Sequence, residues 1–160
     1  MKNLFTLVFF LLFGCVVVNA QCLIDYDFYP TETNYGLYPE VLPNGVVGES
    51  YDVDLTFVLP VDTTVDGFYV VFEDYHITSI SLPIGLNWDC NNSSNNCHYD
   101  PAISQYGCVN IFGTPFVADE YSVEVQVVAT HDLSYLVGTE TISFELTMTV
   151  DPNNSISSNA

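Results

Sequence analysis

The sequence predicts an all-β protein, a sandwich of about seven antiparallel strands, and three observations support this prediction. Apolar and polar side chains alternate over residues 51–59, 121–127 and 142–150, the period of strands with one buried and one solvated face. Turn-forming runs at residues 83–85 and 113–115 separate such segments, since proline lacks an amide and glycine accepts a positive φ. Outside the N-terminal apolar run, no segment has the period of a helix.

Residues 1–20 are predicted to be a secretory signal peptide. Lys2 gives the positive start, residues 4–18 form the apolar segment, and Val18-Asn19-Ala20 supplies a small-residue cleavage site. The apolar run is shorter than the ~20 residues that span a bilayer, so no transmembrane segment is expected in the mature chain. A lipoprotein site at Cys15 is the alternative, although apolar residues continue beyond it.

The mature chain has the size of one domain, and its composition divides it into three parts. Residues 21–39 are rich in aromatic and turn residues and predict an N-terminal arm with a short first strand. Residues 40–150 carry the strand pattern and predict the sandwich. Residues 151–160 begin with Asp-Pro-Asn-Asn and continue in serine and asparagine, which indicates a linker or disordered tail.

The charge balance excludes several classes of function. The sequence has one basic residue, Lys2, against 20 carboxylates, and its formal net charge is −19. Nucleic-acid binding, arginine clamps, Schiff-base lysines and phosphate-binding lysines need basic side chains, so none is expected in the mature protein. Repulsion among the carboxylates weakens in salt or with divalent cations. A saline or calcium-containing exterior therefore suits this surface.

Four cysteines remain after the predicted cleavage, namely Cys22, Cys90, Cys97 and Cys108. An even number in an exported chain predicts two disulfides. Of the three pairings, the favoured one joins Cys90 to Cys97 across an asparagine- and serine-rich loop and Cys22 to Cys108. A zinc site with Cys97 and His98 is the alternative, but the paired Cys-x-x-Cys spacing is missing.

In the first half of the sandwich, residues 51–59 predict a strand that Pro60 ends. Its outward, solvated set is Asp52, Asp54, Thr56 and Val58. Residues 68–72 form a nearly continuous apolar run, typical of a more buried strand, and Glu73-Asp74 marks its solvated end or a bulge. Residues 75–82 predict a further strand that leads into the first turn.

In the second half, Trp88 is predicted to point inward from a short strand. Residues 91–96 are polar and predict a surface loop. A strand begins near Tyr121, and residues 130–138 are predicted to be a loop. Residues 139–150 have the clearest strand pattern in the chain.

Several of these motifs resemble the immunoglobulin-like (cadherin-like) repeats of bacterial surface proteins. The matching segments are Leu-Pro-Ile-Gly-Leu-Asn-Trp at 82–88, Ile-Phe-Gly-Thr-Pro at 111–115, Tyr-Ser-Val-Glu-Val at 121–125 with Ala129-Thr130, and Val-Gly-Glu-Ser-Tyr at 47–51. This resemblance implies an immunoglobulin-like β-sandwich. The cysteine-bearing insert between the first two motifs, with Gly-Leu-Tyr-Pro at 36–39, resembles more narrowly the N-terminal domain of proteins exported by type IX secretion.

Calcium is the one cofactor that the residues suggest. Asp119, Glu120 and Asp132 offer the oxygen ligands that hard cations prefer, in segments that a sandwich could bring to its ends. The resemblance adds that cadherin-like relatives often carry an acidic residue after an Ala-Thr pair, and Asp132 stands two positions beyond Thr130.

No catalytic residues are predicted. His131, Asp132 and Ser134 have the residue types of a hydrolytic triad, but residues this close in an extended loop do not reach the required geometry through spacing alone. The adjacent carboxylates Glu73-Asp74 and Asp119-Glu120 would point to opposite faces of a strand.

The sequence therefore predicts a secreted or cell-surface, non-enzymatic module with a structural or adhesive role. Its expected partner is a protein or glycan at the cell surface. The alternative is a glycan- or calcium-dependent ligand-binding module. For sugars, flat rings of the arm would stack on the ligand, unless they fill the core instead. These rings belong to Tyr26, Phe28, Tyr29, Tyr35 and Tyr38.

Overall fold

The computed structural model describes residues 22–28, 30, 35–65 and 67–154 of the chain. The predicted signal peptide, Tyr29 and residues 155–160 of the predicted tail lie outside the described residues. In the described ranges the strands are β1 (Gly36–Tyr38), β2 (Gly45–Val46), β3 (Tyr51–Val58), β4 (Asp62–Val65), β5 (Phe68–Ile80), β6 (Leu86–Cys90), β7 (His98–Tyr99), β8 (Tyr106–Gly113), β9 (Asp119–His131) and β10 (Glu140–Asp151). A one-turn helix, α1 (Ser134–Val137), follows β9, and a 3-10 turn (Ser93–Asn95) lies between β6 and β7.

Two sheets enclose the core. The four-stranded sheet has the order β1-β3-β8-β6, and the six-stranded sheet has the order β2-β10-β9-β5-β4, with β7 also paired to β5. Neighbouring strands are antiparallel except for β2, which runs parallel to β10. This architecture is an immunoglobulin-like β-sandwich and confirms the predicted fold class.

The long strands β9 and β10 follow the predicted alternation. In β9 the side chains of Val123, Val125, Val127 and Ala129 are buried. In β10 the inward set runs from Ile142 to Val150 and becomes more buried toward its C-terminal end. Trp88 on β6 is half-buried and packs against the core, as predicted.

The strand β5 differs from its prediction, because one 13-residue strand replaces two shorter ones. Its register against β9 shifts between Phe72 and Asp74 and again between Ile77 and Ser79. Of the two alternatives predicted for Glu73-Asp74, the first shift supports a bulge, and the strand does not end there. A bulge absorbs one extra residue without ending the strand, so the polar pair interrupts the pattern but not the pairing.

The two predicted turns, at residues 83–85 and 113–115, contact each other. Thr114 donates its backbone N–H to Gly85 O at 3.0 Å, and Phe116 donates to Ile84 O at 3.1 Å. Gly85 has a φ of +102°, and a Cβ at this position would collide with the carbonyl oxygen of Thr114. Glycine is therefore required here both for its backbone conformation and for the close approach of the second turn.

The disulfides join Cys22 to Cys108 and Cys90 to Cys97, which confirms the favoured pairing. Both pairs have a Cα–Cα distance of 5.9 Å, within the usual range for a disulfide. Cys22 thereby attaches the N-terminal arm to β8 in the centre of the four-stranded sheet. With both sulfur pairs formed, the alternative zinc site at Cys97 and His98 has no thiolate ligand.

The outer face of β3 is exposed at Asp52, as predicted, but it is covered at Thr56, contrary to the prediction. Leu23 donates its N–H to Asp54 Oδ2 at 3.0 Å, and Asp25 donates to Thr56 Oγ1 at 2.8 Å, so the arm lies across this strand. Thr56 is buried at this contact, and the alternation along one strand does not show which segment of the chain will cover its outer face. Val58 is also buried.

The interior has two halves that are packed differently. The closed half surrounds Leu55, Ile111, Val123, Met148 and Val150, which are all at most 3% exposed. The open half surrounds Phe57, Tyr75, Ile77, Val127 and Phe144, and it contains a cavity between the sheets.

Candidate functional site

Exposed apolar side chains gather at one end of the six-stranded sheet. The β4–β5 hairpin and the segment after β9 lie at this end, because β5 begins where the antiparallel β9 finishes. The side chains there are 63% to 79% exposed, too much to be core residues. We call this set the helix-end patch, and it consists of Phe68, Tyr69, Tyr135, Leu136 and Val137.

Hydrogen bonds at the start of α1 hold the helical part of the patch in place. Leu133 donates its N–H to His131 Nδ1 at 3.2 Å, and His131 donates its own N–H to Ser134 Oγ at 2.8 Å. Gly138 closes the turn by donating to Ser134 O at 2.9 Å. The three apolar side chains of α1 therefore stay in solvent on a fixed turn.

These bonds also show what the triad-like residues do. The imidazole of His131 accepts from a backbone amide, and the Ser134 hydroxyl accepts from another. The carboxylate of Asp132 accepts from Val71 N–H at 3.1 Å and so joins the loop to β5. All three side chains serve the backbone around them.

Carboxylates border the helix-end patch. A hydrogen bond with Asp62 raises the pKa of Tyr69, and a partial loss of hydration and the negative charges of Asp62 and Asp132 act in the same direction. An apolar surface with a polar rim is the usual composition of a protein contact site.

The sequence did not predict this patch, because residues 130–138 have no strand or helix period and were predicted to be a loop. The loop contains the helix α1, and its Tyr-Leu-Val run was the available signal. An apolar run in a loop either folds into the core or stays exposed, and only the surrounding hydrogen bonds decide which.

A second exposed apolar set lies at the opposite end of the sandwich, on the two contacting turns. Ile84, Phe116 and Val117 are 50% to 72% exposed. The backbone bond from Phe116 to Ile84 joins them, and the Tyr121 hydroxyl donates to Val117 O at 3.0 Å. We call these three residues the turn-end patch.

The structure separates the residues predicted to bind calcium. Asp119 and Glu120 open β9, whereas Asp132 follows its last residue. A 13-residue strand is about 40 Å long at about 3.3 Å per residue, so the three carboxylates cannot share one ion. The prediction of a single site from these residues is wrong. It assumed that the loops carrying these carboxylates come together, whereas the carboxylates lie at opposite ends of one long strand.

A cluster of Asp74, His76 and His98 forms where β5 pairs with β7. His98 Nδ1 lies 2.7 Å from Asp74 Oδ2, and the two imidazole rings stack with centroids 3.9 Å apart. Within the described ranges, no three acidic, histidine or cysteine side chains have an arrangement suited to a metal ion. The sequence did not indicate this cluster, because it depends on the pairing of β5 with β7, which places His76 opposite His98, 22 residues later in the chain.

Two aromatic rings of the arm make ring contacts, one within the arm and one with β8. Phe28 stacks on Tyr38 with centroids 4.1 Å apart, and Tyr26 meets Tyr106 edge to face at 5.1 Å. Tyr26 is nevertheless exposed. The glycan-binding prediction for this arm stays a prediction.

Comparison with solved structures finds weak similarities. The ASH/PapD-like domain of human CEP192 (PapD-like domain 7) shares 12% identity with a TM-score of 0.43, over 84% of this chain and 97% of that one. The VesB protease of Vibrio cholerae shares 9% identity with a TM-score of 0.40, over 68% of this chain and 30% of that one. Both TM-scores lie below 0.5, and neither similarity indicates what this chain binds or does.

No protein-family model matches the sequence, and no curated protein matches it. Among the described helices, none is long and apolar enough to cross a membrane. The strand order and the two disulfides define the class of protein, a disulfide-linked immunoglobulin-like domain.

Proposed function

We propose that this chain is a secreted, non-enzymatic immunoglobulin-like module with a structural or adhesive role at a bacterial surface, and that the helix-end patch makes its contact with a protein partner. The observation that carries the proposal is the exposure of five large apolar side chains on one end of a disulfide-linked domain. Large exposed apolar patches usually mark an interaction site.

The charge of the chain also predicts the charge of the partner's surface. With a net charge of −19 and carboxylates beside the patch, the fitting surface is apolar at its centre and basic at its rim. Salt screens the rim more than the centre, so binding weakens with ionic strength without being abolished.

Export is part of this proposal and is tested separately. The chain with its first 20 residues is expressed in a bacterium, and the protein in the medium or on the surface is sequenced from its N-terminus. We expect it to begin at Gln21, the residue after the predicted cleavage site. Retention of Met1 on all of the protein, inside the cell, would contradict export.

Adhesion is tested with beads coated with the mature domain and incubated with cells of the producing bacterium. Leu136→Asp places a charge in the helix-end patch, and Ile103→Asp places the same charge on an isolated side chain that is 85% exposed. We expect at least a tenfold loss of bead retention for the first variant and none for the second. Equal retention of both variants would show that the patch is not the contact surface.

A further inference from the structure

The open half of the interior contains an apolar cavity of about 190 Å³ between the two sheets. Native interiors contain few spaces larger than a water molecule, so a space of this size calls for an occupant. The walls come from both sheets and include Phe57, Phe72, Tyr75, Tyr99, Val127 and Phe144.

The cavity exists because one edge of the sandwich is incompletely closed. Next to the C-terminal end of β10, Leu42 donates its N–H to Thr147 O at 3.0 Å, and β2 pairs with residues 150–151. Along residues 140–146 of β10, by contrast, the described part of the chain places a strand on the β9 side only. Ile142 and Phe144 point inward there but are only half-buried.

The cavity wall carries no charged side chain among the described residues that form it. Its polar groups are the hydroxyls of Thr63 and three tyrosines, and two of those tyrosines are engaged elsewhere. Tyr75 donates to Pro60 O at 3.1 Å, and Tyr99 donates to Asn91 Oδ1 at 2.8 Å.

Burial keeps these phenols neutral. It raises the pKa of Tyr75, and it raises the pKa of Tyr99 to about 12. A charged ligand would therefore lose its hydration on entering and find no opposite charge to replace it. The occupant that this wall accepts is uncharged.

The volume sets the size of that occupant. An engineered cavity of about 150 Å³ lined by Leu, Ile and Phe stays dry and binds benzene, so about 190 Å³ admits one substituted aromatic ring or a short hydrocarbon chain. We propose that the cavity between the sheets is a binding site for one small, uncharged, apolar molecule, entered between β1 and residues 140–146 of β10. This site is separate from the helix-end patch and does not depend on the role proposed for it.

The first experiment is a calorimetric titration of the oxidised mature domain with toluene, and with benzoate and benzylammonium as charged molecules of similar size. We expect saturable binding of one toluene and at least about 100-fold weaker binding of both ions. Absence of saturable toluene binding, the result if a segment of this chain or of a partner protein fills the cavity, would overturn the proposal. So would equal affinity for benzoate.

Two variants locate the site. Ile142→Trp blocks the entrance, and its matched control Ile84→Trp places the same ring at the turn end, outside the cavity. We expect at least a tenfold loss of toluene affinity for the first and an unchanged affinity for the second. Binding that survives Ile142→Trp would place toluene elsewhere and overturn the assignment.

Val127→Phe fills the cavity from the six-stranded sheet. It tests the site independently in case Ile142→Trp does not fold. We expect it to lose toluene binding while its melting temperature stays at or above that of the unmodified domain, because the ring occupies existing space. A melting temperature that rises with toluene by the same amount in this variant as in the unmodified domain would also overturn the proposal.

Discussion

The closed and open halves of this sandwich are built from the same strands but are packed differently. In the closed half, Leu42 and β2 seal the edge of β10, and the inward side chains Leu146, Met148 and Val150 are buried. In the open half, Ile142 and Phe144 of the same strand are only half-buried and border a cavity. The alternation along β10 is identical in both halves. Burial therefore depends on what covers the edge of a strand as well as on which face its side chains occupy.

This difference has a thermodynamic consequence. Side chains in the closed half have neighbours on all sides, so removing or adding atoms there forces a void or a collision. Side chains in the open half have space beside them that absorbs part of either change. Three of the following predictions test this contrast, and a fourth concerns a property that the two halves share; the largest expected effect comes first.

The two disulfides should differ in how much they stabilise the fold and in how much of the fold their loss affects. Cys22→Ser with Cys108→Ser opens a link between residues 86 apart and should lower the free energy of unfolding by about 4.5 kcal/mol. Cys90→Ser with Cys97→Ser opens a separation of seven and should cost about 2.5 kcal/mol. Denaturant unfolding measures both values.

The Cys90–Cys97 disulfide borders the open half, because Ile77 donates its N–H to Cys97 O at 3.2 Å. Loss of this disulfide should therefore speed amide exchange in the open half and not in β2. Equal costs, or exchange that rises everywhere, would contradict this.

Two buried isoleucines provide a matched pair. Ile111→Ala in the closed half should cost about 4 kcal/mol, because it creates a new void among close-packed neighbours. Ile77→Ala in the open half should cost about 2 kcal/mol, because one side of this residue already faces the cavity. Urea unfolding of both variants measures the difference. A larger loss for Ile77→Ala would mean that the cavity is filled and that the contrast between the halves is wrong.

Two glycines test the opposite change, the addition of a methyl group. Gly85→Ala should cost about 3 kcal/mol, since its φ of +102° disfavours a side chain and the new Cβ meets the fixed carbonyl of Thr114. Gly107→Ala should cost about 1 kcal/mol, although its Cβ would meet the rings of Phe57 and Tyr99, because those rings line the cavity and can move into it. Melting curves rank the two. The reverse order would show that the rings around Gly107 cannot move.

Buried tyrosines should make the fold sensitive to alkali. Burial raises the pKa of Tyr51, in the closed half, to about 12 and that of Tyr99, in the open half, to about 12. Their contribution is complete below pH 10, the unfolded value, and is lost as the pH rises through 12, because the unfolded chain releases these protons first. Up to about 1.4 kcal/mol should be lost per tyrosine and pH unit in this window.

Tyr51→Phe and Tyr99→Phe should each reduce that alkaline slope. At neutral pH each loses one hydroxyl bond, to Pro43 O and to Asn91 Oδ1, at a cost of about 1 kcal/mol. Unfolding free energies between pH 9 and pH 11.5 give the slopes, and the constant loss at pH 7 serves as the internal reference. An unchanged slope in both variants would show that other groups control the alkaline transition.

Most of the fold could be predicted, because the alternation of apolar and polar residues within each strand shows which face of that strand is buried. The alternation of β3, β9 and β10 marks their inward residues, and Cys90 and Cys97 lie close enough in sequence to suggest their pairing. The bulge in β5 was visible as two polar residues in an apolar run. The functional sites were less accessible. The calcium prediction placed Asp119 and Asp132 together, although one strand holds them apart.

The sequence alone determined the strand pattern and, beyond the predicted cleavage site, a set of four cysteines and no lysine or arginine, because these are properties of composition and of local period. The tertiary structure decided which strands are neighbours, that the arm covers Thr56, that α1 leaves Leu136 in solvent, and that the edge of β10 is sealed at one end only. These features arise from residues far apart in the chain. A period of two residues says which side of a strand is apolar, but it contains no information about what lies across from that side or how closely it approaches.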